Sequence, residues 1–273
     1  MRSNVKYLTL GNLIFLVLVF AAGALSGALS EVVYYAAFLL PALLLVILKR
    51  DYFSVPLDGV RVKADRLLLS ATLAAPTIAV IMVISFATTV VLALLGLEPE
   101  QISTEPSFAA SALTLAVTPA IAEELLFRYI PMKLLLPHSG RVCVLLSAVM
   151  FSAAHTSFES FPFALFAGVI FMTIDISARS ILPSVILHFT NNILSVAFAY
   201  FGEQVLFKIG VFVILGLLIA ASLTVFFVKK DEIISQIRAV FSSGEPYGVD
   251  LVPLAFIIPC IAIAILDFAI RVG

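Results

Sequence analysis

The chain has 273 residues, of which 62% are hydrophobic and 12% charged, with a net charge of −1 and a mean hydropathy of +1.18. Soluble domains run at about 45–50% apolar and about 25% charged, so a soluble fold is excluded, and the apolar excess is spread over the whole length rather than held in one anchor. The net charge argues neither for nor against a nucleic-acid partner; the lack of a basic stripe with interleaved aromatics argues against one.

A helix needs about 20 apolar residues to cross the hydrocarbon core. On that basis the predicted spans, in chain order, are 7–29, 32–48, 67–96, 107–127, 142–157, 161–177, 180–200, 206–228 and 250–271. The expected architecture is an all-α polytopic transmembrane bundle of eight or nine helices, forming one integral membrane domain over 1–273. The first span is longer than the apolar core of a signal peptide, so it is read as a retained helix. The longest polar connections are 49–66 and 229–249. Placing the N-terminus in the cytoplasm puts Arg2, Lys6, Lys49, Arg50, Arg61, Lys63, Arg66, Arg128, Lys133, Arg141, Arg179, Lys229, Lys230 and Arg238 inside, and only Lys208 and Arg271 outside. That asymmetry is the one the positive-inside rule predicts. The cell membrane is the expected location.

The fourth span carries two adjacent carboxylates, Ala122-Glu123-Glu124-Leu125-Leu126-Phe127-Arg128. Ionised groups at bilayer depth cost several kcal/mol unless paired or solvated, and they mark function by default. Glu124 and Arg128 are spaced i, i+4 and can pair on one helix face. Glu123 points roughly 100° away around the helix, without an obvious partner, as a general base requires. Pro119, before the pair, should kink this helix.

Two of the three histidines also lie in apolar runs. His155 ends Phe151-Ser152-Ala153-Ala154-His155, and His188 opens His188-Phe189-Thr190-Asn191-Asn192. His188 and Asn192 share a helix face, and their donors could bind an oxyanion; alone, they could equally join two helices by hydrogen bonds. Glu123, His155 and His188 would also make a His₂Glu zinc set, which spacing across three helices leaves open. There is no HExxH, GxSxG or GxGD pattern. Asp175 with Arg179 and Asp267 with Arg271 read as structural i, i+4 pairs, His138 as a solvated loop residue, and Cys143 and Cys260 as buried thiols without a disulfide.

These residues resemble the CAAX prenyl protease and bacteriocin-processing family. Its pattern is EExxxR, FxxxH and HxxxN in that order; here it reads Glu123-Glu124 to Arg128, Phe151 to His155 and His188 to Asn192. The resemblance covers a catalytic core of about 105–200. It implies a glutamate-dependent intramembrane endopeptidase in which Glu123, assisted by His155, activates water. His188 and Asn192 would stabilise the oxyanion, and Glu124 and Arg128 would support the site. It implies no metal and no other cofactor. The partner is then a peptide or lipidated-protein substrate within the bilayer. A non-enzymatic immunity or scaffold protein and a proton-coupled transporter are the competing readings.

Overall fold

A computed structural model describes residues 1–54, 67–98, 104, 107–242 and 251–272. The described residues form ten helices and no strand: α1 Arg2–Gly23, α2 Gly27–Leu48, the short α3 Arg50–Phe53, α4 Leu68–Leu94, α5 Phe108–Leu135, α6 Gly140–Ala154, α7 Phe161–Ala178, α8 Leu182–Phe201, α9 Val205–Ser242 and α10 Leu254–Val272. Seven of them are long and apolar enough to cross a membrane, and two stretches, Val32–Leu48 and Gly140–Ala154, are apolar but shorter. The protein is a polytopic helical bundle and an integral membrane protein, as the composition predicts.

Three boundaries differ from expectation. Span 107–127 runs on to Leu135, because Ile130 to Leu135 stay helical past Arg128. Arg128 is therefore no loop residue. It lies fully buried within a 28-residue helix. The polar stretch after 228 is not a loop as far as Ser242. Helix α9 breaks its backbone at Lys229 (φ −118°, ψ 20°) and continues to Ser242, burying Ile233 and Val240. Those residues are spaced i, i+7 on one face, so the charged segment beyond the break is an amphipathic helix lying on the bundle. The rest of the two long connections, 55–66 and 243–250, lies outside the described residues, as do Arg61, Lys63 and Arg66.

Two apolar clusters organise the packing. One joins α1, α2, α5, α6, α7 and α10 through residues such as Phe15, Leu126, Phe127, Met150 and Cys260. The other joins α4, α7, α8 and α9 through Ile78, Phe171, Leu187 and Ile233. Helix α7 contributes to both. In a bilayer the apolar surface gains little from leaving lipid, so close packing and polar contacts hold helices together. At the α6–α7 crossing, a Cβ added to Gly168 would lie 2.8 Å from Ala148 Cα. Only glycine permits this approach, and it sets the spacing of the two helices that carry Phe151, His155 and Phe171. Helices α1 and α2 form a hairpin: Lys49 Nζ reaches Ser3 Oγ (3.3 Å) and lies 4.1 Å from the Tyr7 ring centre.

The loop residue His138 is expected to be solvated, in the turn between α5 and α6. It is instead held: Asn4 Nδ2, which donates to Leu134 O (2.8 Å), also donates to His138 Nε2 (3.2 Å), with Tyr52 Oη at 3.5 Å. Burial and the nearby N-terminal amine keep its pKa below the ordinary histidine value. Both cysteines are buried free thiols. The Asp267–Arg271 pair forms, at 3.0 Å.

Candidate active site

Helix α5 is not uniformly α-helical. Ala112–Val117 and Leu125–Tyr129 are π-helical turns on either side of the Thr118–Glu124 segment. Wide turns of this kind accommodate an extra residue and recur at functional sites. Two prolines add to the effect. Pro119 has no N–H to give to the carbonyl four residues back; that carbonyl, Leu115 O, accepts Asn192 Nδ2 at 3.2 Å. Pro131 stands in the same relation to Phe127 O, which accepts Arg128 Nη1 at 3.2 Å and the Ser147 hydroxyl. Each of these two main-chain acceptors is thus engaged by a polar side chain.

Glu124 lies below the surface of any cavity, with no exposed side-chain area. The i, i+4 pair forms: Arg128 Nε is 3.3 Å from Glu124 Oε2. The guanidinium also stacks over the Phe151 ring at 4.3 Å and lies 5.8 Å from Phe171. Glu124 Oε1 is 2.8 Å from His188 Nδ1. A carboxylate only accepts, so Nδ1 carries the proton and donates. Glu124, rather than an amide, fixes the ring of His188.

Glu123, one residue earlier, faces elsewhere. Its side chain is 14% exposed and its Oε2 lies 3.9 Å from His188 Nε2. It lines a cavity of about 280 Å³ together with His155, His188, Asn191, Asn192 and Ser195. The walls are otherwise aromatic and aliphatic: Phe151, Phe163, Phe171, Ile81 and Leu115. All four residues singled out as catalytic therefore meet in one space. Glu123 sits near the middle of the extended α5 and His155 at the C-terminus of α6, which brings them together where the shorter predicted span would have held them apart. His155 Nδ1 donates to Phe151 O (2.9 Å), so the neutral ring keeps its lone pair on Nε2. The next residue, Thr156, takes a left-handed conformation (φ 49°) and ends the helix there. Among the described residues, no three of His, Cys, Asp and Glu converge as metal ligands would.

Asn192 is held at both ends of its amide: Nδ2 by Leu115 O and Oδ1 by Asn191 Nδ2 (3.2 Å). The neighbour Asn191 was not singled out from sequence. Asp175 does not form the pair with Arg179 that its spacing predicts. Helix α7 ends at Ala178, and Arg179 turns into the left-handed region (φ 53°) on the exposed surface, away from the wholly buried Asp175. The carboxylate accepts the Ser184 backbone N–H at 3.1 Å instead.

Fold and site together define a polytopic membrane protein with a carboxylate, two imidazoles and an amide around a cavity in its helical core. Residues 105–194, a segment that contains every one of these groups, match the family model described as Rce1-like, type II CAAX prenyl endopeptidase. By this central segment the chain is similar to the CAAX prenyl endopeptidases that the model describes. No curated protein and no solved structure matches the chain.

Proposed function

We propose that the protein is an intramembrane endopeptidase that uses Glu123 as general base. The observation that carries this reading is the partly exposed Glu123 carboxylate, 3.9 Å from His188 Nε2 in the cavity that His155 and Asn192 also line. A water between Glu123 and His155 Nε2 gives its proton to Glu123 as its oxygen attacks the scissile carbonyl carbon. The carbonyl oxygen becomes an oxyanion, which receives donors from His188 Nε2–H, with the ring as imidazolium, and from the free N–H of Asn192. Glu123 then passes the proton to the amide nitrogen as the C–N bond breaks. Glu124 holds His188 through Nδ1, and Arg128 balances Glu124. The oxyanion donors are fixed before the reaction begins, which is where such donors act most strongly.

The substrate is a peptide of a membrane-associated protein, and the similarity to a CAAX prenyl endopeptidase model supports prenylated C-terminal tails as the first candidates to try. The starts of α1 and α6 and the ends of α2 and α5 bring Arg2, Lys6, Lys49, Arg50, Lys133 and Arg141 to one end of the bundle. By the positive-inside rule that end, with the N-terminus, faces the cytoplasm, in the cell membrane.

The test is cleavage of a fluorogenic farnesylated CAAX peptide by purified protein in lipid, for wild type, Glu123→Ala and His188→Ala, each with and without a chelator. Cleavage that resists the chelator and disappears in both variants supports the reading. Loss with chelator makes Glu123, His155 and His188 metal ligands. Absence of cleavage by wild type on prenylated and unprenylated membrane peptides alike overturns the endopeptidase reading in favour of a scaffold or a transporter.

A further inference from the structure

Asp175 is a buried carboxylate that the proposed reaction does not use. It lies on α7 with no exposed surface, and its i, i+4 partner is turned away from it. What it touches is the start of α8. Asp175 Oδ1 accepts the backbone N–H of Ser184 at 3.1 Å. N–H groups in the first turn of a helix have no acceptor within the helix, and the dipole of α8 favours a negative charge there. Ser184 is itself fully buried and lies against both carboxylates, Glu124 and Asp175. One turn further along the same helix is His188.

The first two turns of α8 are therefore held at two points. Asp175 holds its first turn from α7, and Glu124 holds His188 from α5 at 2.8 Å. The second oxygen of Asp175 has no hydrogen-bond partner among the described residues, and neither has Arg128 Nη2. A carboxylate kept in such a place costs stability relative to an apolar residue of the same size. Packing alone would be served better by leucine.

We propose that Asp175 is a positioning residue of the active site: through the Ser184 N–H it fixes the axial position of α8, and so the place of the His188 ring between Glu123 and Glu124. The proposal rests on the hydrolase reading for its kinetic readout only. Its acceptor function predicts that Asp175→Asn, which keeps Oδ1, preserves the site, and that the apolar isostere Asp175→Leu does not.

Because the chain has three histidines, protein labelled with ¹⁵N only at histidine and held in lipid gives three ring systems, assigned by single replacement. The expected result is that Asp175→Leu moves the His188 ring signals and leaves those of His138 and His155 in place. On any peptide that wild type cleaves, it lowers kcat by about tenfold or more with KM changed by less than about twofold, since a small misplacement of a reacting group costs rate rather than binding. Asp175→Asn should keep the His188 signals and lie within about threefold of wild-type kcat. The proposal is overturned if Asp175→Leu lowers only the melting temperature and leaves both readouts unchanged, or if Asp175→Asn behaves as Asp175→Leu does. Should the leucine variant fail to fold, Asp175→Ser, too short to reach Ser184, takes its place. If wild type cleaves no peptide, the hydrolase reading fails, and the ring signals alone decide the role of Asp175.

Discussion

Glu123 and Glu124 are neighbours in the chain and live in different solvents. Glu124 belongs to a sealed polar cluster with Arg128, Ser184 and Asp175, where every side chain is wholly buried. Glu123 belongs to the cavity, where its carboxylate keeps 14% of its surface and can meet water. One residue of helical rotation separates the two regions, and His188 bridges them, with Nδ1 on the sealed side and Nε2 on the open side. The same side-chain type thus does opposite work. The buried copy is fixed by its contacts and holds a ring in place. The copy on the cavity wall lies 3.9 Å from His188 Nε2 and faces open space.

Substitutions break this comparison in order of size. Glu123→Gln should lower cleavage by about 10²–10⁴-fold, the contribution of a positioned general base, while the melting temperature stays at the wild-type value. Glu124→Ala should do the reverse in the first instance. It leaves Arg128 buried without its partner, at a cost of about 3–5 kcal/mol, read as a fall in the denaturant midpoint in detergent. The double replacement Glu124→Leu with Arg128→Met sharpens the contrast: it should recover most of that stability, since an apolar pair replaces a buried ion pair at little cost, but not activity, because His188 Nδ1 has lost its acceptor. Gly168→Val lies outside both regions but moves the α6 wall of the cavity; with a Cβ 2.8 Å from Ala148 Cα, about 1–3 kcal/mol of overpacking strain is expected, seen as a lower melting temperature.

Two smaller effects concern the periphery. The neutral His138 accepts from Asn4, and protonation at Nε2 would replace that acceptor with a second donor. Its folded pKa lies below the unfolded value, so the unfolded chain binds more protons as the solution is acidified. Stability from this contact is full above the unfolded histidine pKa of about 6.5 and is lost as the pH falls through the lower folded value. A melting-temperature series should show a drop on that acid limb that His138→Leu removes. The smallest effect is at Thr156, a β-branched residue at φ 49°. Thr156→Gly should gain about 0.5 kcal/mol, the left-handed cost removed less the entropy of glycine, with equilibrium unfolding as the readout.

Helix number was legible because hydropathy is summed over many residues, and no single position decides it. The carboxylate pair, His155, His188 and Asn192 stood out because ionisable and amide groups are conspicuous in apolar runs. Helix ends were less legible. Arg128 looked like a boundary because a cation in a membrane usually is one; its i, i+4 pair with Glu124 was legible, but nothing in the pattern announced the two aromatic rings that enclose it. Asp175 was visible but assigned to Arg179 by the i, i+4 rule, which holds only while the helix continues, and α7 stops one residue before Arg179. Asn191 was hidden by its adjacency to a stronger signal. The Leu115 carbonyl had no side-chain signal at all, since a main-chain acceptor becomes available only through what a proline four residues later fails to donate.

That last feature reverses the usual tolerance of a transmembrane helix. Elsewhere in such a helix proline is the defect, and its replacement by alanine is a repair. At position 119 the repair would be the damage: any residue with an N–H can reclaim the Leu115 oxygen for the main-chain ladder, and Asn192, left without that anchor, is free to turn. A sequence can drift toward a more regular α5 without altering any residue on the cavity wall, and still lose the site.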